Sequence, residues 1–470
     1  MKDSSVQPGR LIQALQTIRA LARRWPFPAL TRLALAWIPL ALCFFLLQYF
    51  KQPLLYIWRP VETPLLLLAA VLGVWLARRT RRTEARRWRR WEASLRLGLW
   101  LMVGGFVLGG EAWFLWQKHT VLAGSVALER MGQHFVVGFR DFEEVRPLAE
   151  RGLIGGIYLG KRNLRGESVA GLRAKIDALQ ALRRKANLPP LFVMADQEGG
   201  IVSHLSPLVE AQPALATLVS DGGPETLEER AHAYGQRQGA ALAALGVNMN
   251  LAPVVDLKPA QDRDWRDRHT RIDRRAIAAD PRIVERVASA YGRGLAAHGI
   301  LPTVKHFPGL RAVRADTHLV PATLALSPEE QQEDWLPFRE VTARTGAAMM
   351  LAHVRLPEID PERPASLSRV LVQEVLRSKK KGGWNYQGLL ITDDLNMGAV
   401  YADGIGLAAT RALDAGVDLI LISYDPDQYY PALCQAAKSW RQNQIGILRE
   451  AESAQRVLQT AMALRTEKPL

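Results

Sequence analysis

The sequence predicts an α/β protein: a (β/α)8 barrel of the TIM type, residues 121–470, preceded by an N-terminal membrane region, residues 1–120, of about three transmembrane helices. Three observations carry that expectation. The first 120 residues contain three long apolar stretches and nearly all of the excess positive charge. The rest alternates short apolar runs with helix-length segments. Several of those runs end in Asp, Lys or His.

The membrane region comes first. Of the 470 residues, 48% are hydrophobic and 23% charged, which excludes a disordered or collagen-like chain. The formal net charge of +15 would suggest a nucleic-acid partner if it were spread over the molecule. Instead, residues 1–120 hold 18 Lys and Arg against 5 Asp and Glu, and the remainder is near neutral. An enzyme of nucleic acids carries its basic face on its folded domain, so no nucleic-acid partner is expected. Apolar stretches at 33–50, 61–77 and 97–116 approach the roughly 20 residues that a helix needs to cross a bilayer. The second is the weakest, being short and opening with Glu62 and Pro64. Trp37, Tyr49, Phe50, Trp58, Trp113 and Trp116 sit near the ends, as interfacial anchors do. No small-residue cleavage site follows the first stretch, so a removable signal peptide is not expected.

Orientation follows from basic residues. Lys2, Arg10, Arg19, Arg23, Arg24 and Arg32 precede the first stretch, and nine Arg crowd the loop 78–96. With three spans both segments lie in the cytoplasm, where the loop also meets anionic membrane lipid, and the barrel faces the periplasm or cell wall. The expected location is therefore a bacterial inner membrane, multi-pass. If the second stretch does not cross, the barrel returns to the cytoplasm. Cys43 and Cys434 are too few for a disulfide framework.

The barrel follows from eight strand candidates: 135–139, 156–161, 191–196, 249–257, 300–307, 347–354, 388–394 and 419–425. Helix-length segments such as Gly166–Asn187 and Glu225–Ala244 separate most of them. Eight strands with crossover helices in some 300 residues match a closed barrel better than a doubly wound open sheet. No GxGxxG follows a strand, and no GxxxxGK[ST], HExxH or CxxC occurs, so no metal or organic cofactor is implied. Asp196, Asp256, Lys305, His306, His353, Asp393 and Asp394 close five of the strands. Each alone is as readily a cap or a buried hydrogen-bonding group; together they converge on the C-terminal face, where barrel active sites are built.

These segments, taken in order, resemble the β-N-acetylhexosaminidases of glycoside hydrolase family 3 from about Met131 to Ser423. The resemblance is carried by MGQHFVVGF (131–139), GGIYLGKRNL (155–164), ADQEGGIV (195–202), NLAPVVDL (250–257), KHFPG (305–309), ADTH (315–318), MLAHVRLPEID (350–360) and ITDDLNMGAV (391–400). It implies a retaining glycosidase with Asp393 as nucleophile, His318 as general acid/base and Asp316 as its partner. It implies that Asp196, Lys305 and His306 bind sugar hydroxyls; Asp394 itself reads as orienting the loop or capping the next helix. The family's binding arginine corresponds to Arg275 if IDRRAIAADP (272–281) is set against Ile-Gly-x-Arg-Ser-Phe-Gly-x-Asp-Pro, although Arg271 and Arg274 are neighbours that could serve instead.

Three departures stand out. HFPGHG becomes HFPGLR through Leu310 and Arg311, His204 replaces the arginine after the Gln-Glu-Gly-Gly motif, and the Gly of Ile-Gly-x-Arg is Asp273. The altered positions, His204 among them, are expected at the rim of the sugar site. The expected activity is that of a membrane-anchored exo-β-N-acetylglucosaminidase acting on peptidoglycan-type glycans. The alternatives are a related β-glucosidase and a catalytically idle, membrane-tethered glycan-binding protein.

Overall fold

The computed structural model describes residues 29–220, 225–260, 269–401 and 403–466. It divides into two units, Met1–Trp113 and Phe114–Leu470. Five of the basic residues expected to fix topology (Lys2, Arg10, Arg19, Arg23 and Arg24) lie outside the described residues.

In the first unit, the chain forms helices Ala29–Leu47 and Arg59–Thr83 and enters a third, Arg87–Ala123. Two of these stretches, Leu55–Thr83 and Arg87–Ala123, are long and apolar enough to cross a membrane, by length and composition alone. The expected ranking of the apolar stretches is thus corrected. The second is long, because Pro64 forfeits one backbone hydrogen bond without ending its helix and Glu62 lies in the first turn. In the first, the apolar helix that qualifies among the described residues, Ala36–Leu47, is too short to cross. Leu40, Cys43, Leu66, Ala70, Trp100, Val103 and Val107 form a small core. Leu65, Leu68, Val71, Leu72, Leu101, Met102 and Phe106 stay exposed.

In the second unit, the eight expected strands form one parallel sheet: β1 (Phe135–Val137), β2 (Gly156–Leu159), β3 (Phe192–Ala195), β4 (Met249–Asn250), β5 (Leu301–Phe307), β6 (Ala348–Leu351), β7 (Leu390–Thr392) and β8 (Ile420–Ile422). Neighbours in sequence are neighbours in space, and β8 pairs back onto β1 through Phe135↔Ile420. Between β7 and β8 the Leu419 amide donates to Leu390 O and the Thr392 amide to Leu419 O, both at 3.0 Å, which nearly closes the barrel. β4 is shorter than the expected 249–257 run. Its regular pairing with β5 ends at Asn250, and beyond it the contacts are irregular: the Thr303 amide reaches Ala252 O, Lys305 reaches Pro253 O and Val255 reaches Lys305 O.

Side chains alternate between two cores, as the two-residue period of a strand requires. Val136, Phe192, Met194, Met249, Ile391 and Leu421 fill the barrel, whereas Phe135, Val137, Val193, Leu390, Ile420 and Ile422 face the helices. The last helix, Ile447–Thr466, joins the inner core through Val457 and Ala461. Its Glu450 receives Arg130, and its Ser453 and Arg456 bind Asp418 ahead of β8. It therefore lies at the base of the barrel, opposite the C-terminal ends of the strands. Around the outside, helix Leu227–Leu245 starts with a Thr226/Glu229 capping box and ends at Gly246, whose φ of 86° suits glycine. It crosses helix Pro281–Ala296 at Gly235, where a Cβ would lie 2.3 Å from Tyr291 O, so only glycine permits the approach.

Candidate active site

The polar residues at the C-terminal ends of the strands form two connected ionic groups. The first surrounds Glu198, which follows β3 and is buried. Arg275 grips it bidentately at 2.9 and 2.7 Å, and Lys305 Nζ stands 2.7 Å from Oε1. Lys305 also pairs with Asp196. Burial opposes ionisation of Glu198, but the two cations hold its carboxyl far below the usual range. Asp196 accepts the Tyr158 hydroxyl at 2.8 Å, and the same hydroxyl lies 2.8 Å from His204 Nδ1. Burial pushes the His204 imidazole down, favouring its neutral form.

His306 ties this group to the barrel wall. Its Nδ1–H donates to Asp256 at 2.7 Å, which leaves Nε2 to accept from Arg275 at 3.1 Å. Among the three candidate arginines, the structure brings Arg275 into the site, while Arg274 is exposed and Arg271 starts the short helix Ile272–Arg275.

The second group surrounds the Asp pair after β7, whose two members have different surroundings. Asp394 accepts Ser423 Oγ at 2.6 Å, the Tyr424 amide at 2.9 Å, and both the amide and side-chain nitrogens of Asn396, so it stitches β7 to β8. Asp393 accepts only its neighbour's amide, from Asp394 at 2.8 Å, among the hydrogen bonds of the described residues. Burial works against its charge, yet the fields of His306, His353 and His318 hold its carboxyl below the ordinary value. The result is an ionised, under-coordinated carboxylate at the barrel mouth. His353 is locked by Ser366 Oγ at 2.7 Å and by donation of Nε2–H to Asp394 O at 3.0 Å. Burial lowers its pKa.

The acid/base candidates lie on the loop after β5. Asp316 Oδ1 accepts the His318 amide at 3.0 Å and His318 Nδ1 at 3.1 Å. This fixes the Nδ1–H tautomer and frees Nε2 to exchange a proton. Asp316 Oδ2 is taken by His269, Nδ1 at 2.7 Å and amide at 3.3 Å. Partial burial would raise the Asp316 pKa, but hydrogen bonds from both histidines drive it far down.

Residues 127–460 match the family model described as the glycosyl hydrolase family 3 N-terminal domain. The chain belongs to glycosyl hydrolase family 3. It is 34% identical over 298 residues to a β-hexosaminidase of Neisseria gonorrhoeae, covering 62% of this chain and 77% of that protein. Among solved structures, a family-3 β-N-acetylglucosaminidase from Paenibacillus superposes with a TM-score of 0.66 at 30% identity, over 74% of this chain and 64% of that one. A β-N-acetylhexosaminidase from Beutenbergia cavernae gives a TM-score of 0.64 at 26% identity, over 72% and 99%. These relatives establish the family-3 chain as a glycoside hydrolase of the β-hexosaminidase group.

Within this family-3 site, the departures from the common motif fall in unexpected places. Leu310 is buried among Val254, Ile272, Val313, Leu324 and Val354, and its amide donates to Asp256. Arg311 turns toward helix Pro328–Thr345 and approaches Asp334 Oδ1 at 2.9 Å. Neither side chain forms the rim expected of it: the loop interior requires an apolar residue at 310, and a buried carboxylate draws the cation at 311. His204, by contrast, does sit beside Asp196. Sequence reasoning left three participants without a role. Glu198 was visible inside ADQEGG, two residues after Asp196. Tyr158 and His269 carry no spacing signal, since one is an ordinary strand tyrosine and the other lies far from Asp316 in sequence.

Proposed function

We propose that this chain is a membrane-anchored retaining exo-β-N-acetylglucosaminidase that removes terminal N-acetylglucosamine from peptidoglycan-type glycans. One observation carries the reading: an ionised, sparsely coordinated Asp393 lies within the field of His318, whose Nδ1 is held by Asp316. Asp393 attacks the anomeric carbon while His318 Nε2–H protonates the departing oxygen, leaving a glycosyl ester on Asp393 and a neutral imidazole. The same Nε2 then takes a proton from water, whose oxygen attacks the anomeric carbon and releases the carboxylate. Asp196, Lys305, Arg275 and His306 form a preorganised ionic floor suited to sugar hydroxyls, with His204 beside it.

Membrane anchoring is supported by the two long apolar stretches and the Arg-rich connection between them. Basic connections stay in the cytoplasm, so helix Arg87–Ala123 would cross outward and the barrel would face the periplasm or cell wall, whether or not helix Ala29–Leu47 also crosses. The enzyme would then meet cell-wall glycan, and the Arg-rich connection would meet anionic lipid at the inner face of a bacterial inner membrane.

The test is turnover of a chromogenic N-acetyl-β-glucosaminide by the detergent-solubilised chain, beside Asp393→Ala and His318→Ala. Activity lost in Asp393→Ala, with a sugar adduct on Asp393 in quenched wild type, and in His318→Ala a smaller loss on this activated substrate than on an alkyl glycoside, supports the reading. Equal turnover by Asp393→Ala overturns it.

A further inference from the structure

We infer that His269 is a positioning residue for the acid/base step: it holds one oxygen of Asp316 so that the other stays aimed at His318. The inference rests on the reading of His318 as acid/base.

The Asp316 carboxylate is gripped twice in the same manner. Each histidine donates its own backbone N–H and its Nδ1–H to one oxygen, His318 to Oδ1 and His269 to Oδ2. The shorter ring contact, 2.7 Å against 3.1 Å, belongs to His269. The side chain of Asp316 is 4% exposed, whereas those of His318 and His269 are 40% and 52% exposed. The buried member of the trio is therefore the anion, and the exposed rings depend on it for their orientation. The two rings lie 5.3 Å apart, tilted by 39°.

His269 and Asp316 come from different parts of the barrel, the connection between β4 and β5 and the loop after β5. Residues 315–320 lie outside the barrel strands and are held from beyond their own loop where the Gly398 amide donates to His318 O at 2.8 Å. Within them, the Leu319 and Val320 amides turn back on Asp316 O. A carboxylate tied only to its own loop would swing with that loop. Bound to His269, it is referenced to a second segment of the framework. His269 donates Nδ1–H to Asp316 throughout, so it takes no part in the proton balance between His318, the leaving oxygen and water. Its contribution is the angle at which His318 Nε2–H meets that oxygen.

The two roles separate by leaving group. Acid catalysis matters for a poor leaving group and little for an activated aryl one. The full chain in detergent is compared with His269→Phe, which keeps a ring without a donor, and with His269→Asn, whose amide nitrogen replaces Nδ1–H. His269→Ala backs up the Phe variant if that fails to fold. We expect kcat/KM of His269→Phe to fall about ten- to a hundredfold on an alkyl N-acetyl-β-glucosaminide and less than about threefold on the nitrophenyl one. His269→Asn should restore most of the loss. Equal losses on both substrates, or Asn no better than Phe, would overturn the inference. His318→Ala runs alongside. If it shows the leaving-group dependence and His269→Phe does not, only the role of His269 falls. If His318→Ala itself lacks it, the acid/base reading falls, and this inference with it.

Discussion

Two adjacent carboxylates with the same covalent structure have been given opposite tasks by what touches them. Asp394 is saturated with donors from β8 and Asn396, and Asp393 is left open to three imidazoles. Asp393→Asn should abolish turnover, by about a thousandfold or more, without moving the melting temperature. Asp394→Asn should lower stability by about 1–3 kcal/mol, because Ser423 and Tyr424 lose an ionised acceptor. Thermal unfolding beside steady-state assay separates the two. Glu198→Gln should be costlier still, about 3 kcal/mol or more, since it leaves Arg275 and Lys305 buried with one carboxylate fewer. The strand-end position of Asp393, Lys305 and His306 made them visible in the sequence. Their different environments were not visible, because, beside the nearby Asn396, the donors Ser423 and Tyr424 that hold Asp394 sit about thirty residues away, just past another strand.

At the scale of elements, the loop after β5 is tied to helix Pro328–Thr345 by Arg311 and the buried Asp334. Burial pushes the Asp334 carboxyl up to about 7, more than Arg311 pulls it down. A carboxyl whose folded pKa exceeds its unfolded one stabilises the fold at low pH and loses that contribution as pH rises through 7. Between pH 5 and 8 this should remove on the order of 2–3 kcal/mol, and Asp334→Asn should flatten the slope. Unfolding of both proteins at the two pH values checks it. A wild-type profile as flat as the variant's would contradict it. The eight strands and their order were legible, since each is a short apolar run and crossover connections leave little choice of neighbour. Their lengths were not. Residues 249–257 read as one apolar strand, yet the regular ladder stops at Asn250 and the register slips where Thr303 bonds Ala252 O. Leu310 and Arg311 read as rim residues because the motif places them near the sugar, but a side chain's direction is set by tertiary neighbours. For Arg311 that neighbour is Asp334, more than twenty residues on.

Across the whole molecule, charge is partitioned as sharply as hydrophobicity, with the Arg-rich connection between two long apolar helices and a near-neutral catalytic unit. The proposed topology predicts that protease added outside intact spheroplasts removes the barrel while sparing residues 78–96. A barrel protected until the membrane is permeabilised would reverse the orientation and move the substrate into the cytoplasm.

The helix Ile447–Thr466 also has a consequence in time. Because Val457 and Ala461 complete the inner core, and Glu450 and Ser453 anchor the starts of β1 and β8, the first strand waits for a helix made about 300 residues later. A nascent chain holds eight strands around an open base until Ile447–Thr466 has been made. Closure of the barrel thus follows synthesis of that helix, in whichever compartment receives it. A chain cut before Ile447 would keep its catalytic residues and have no sealed barrel to hold them.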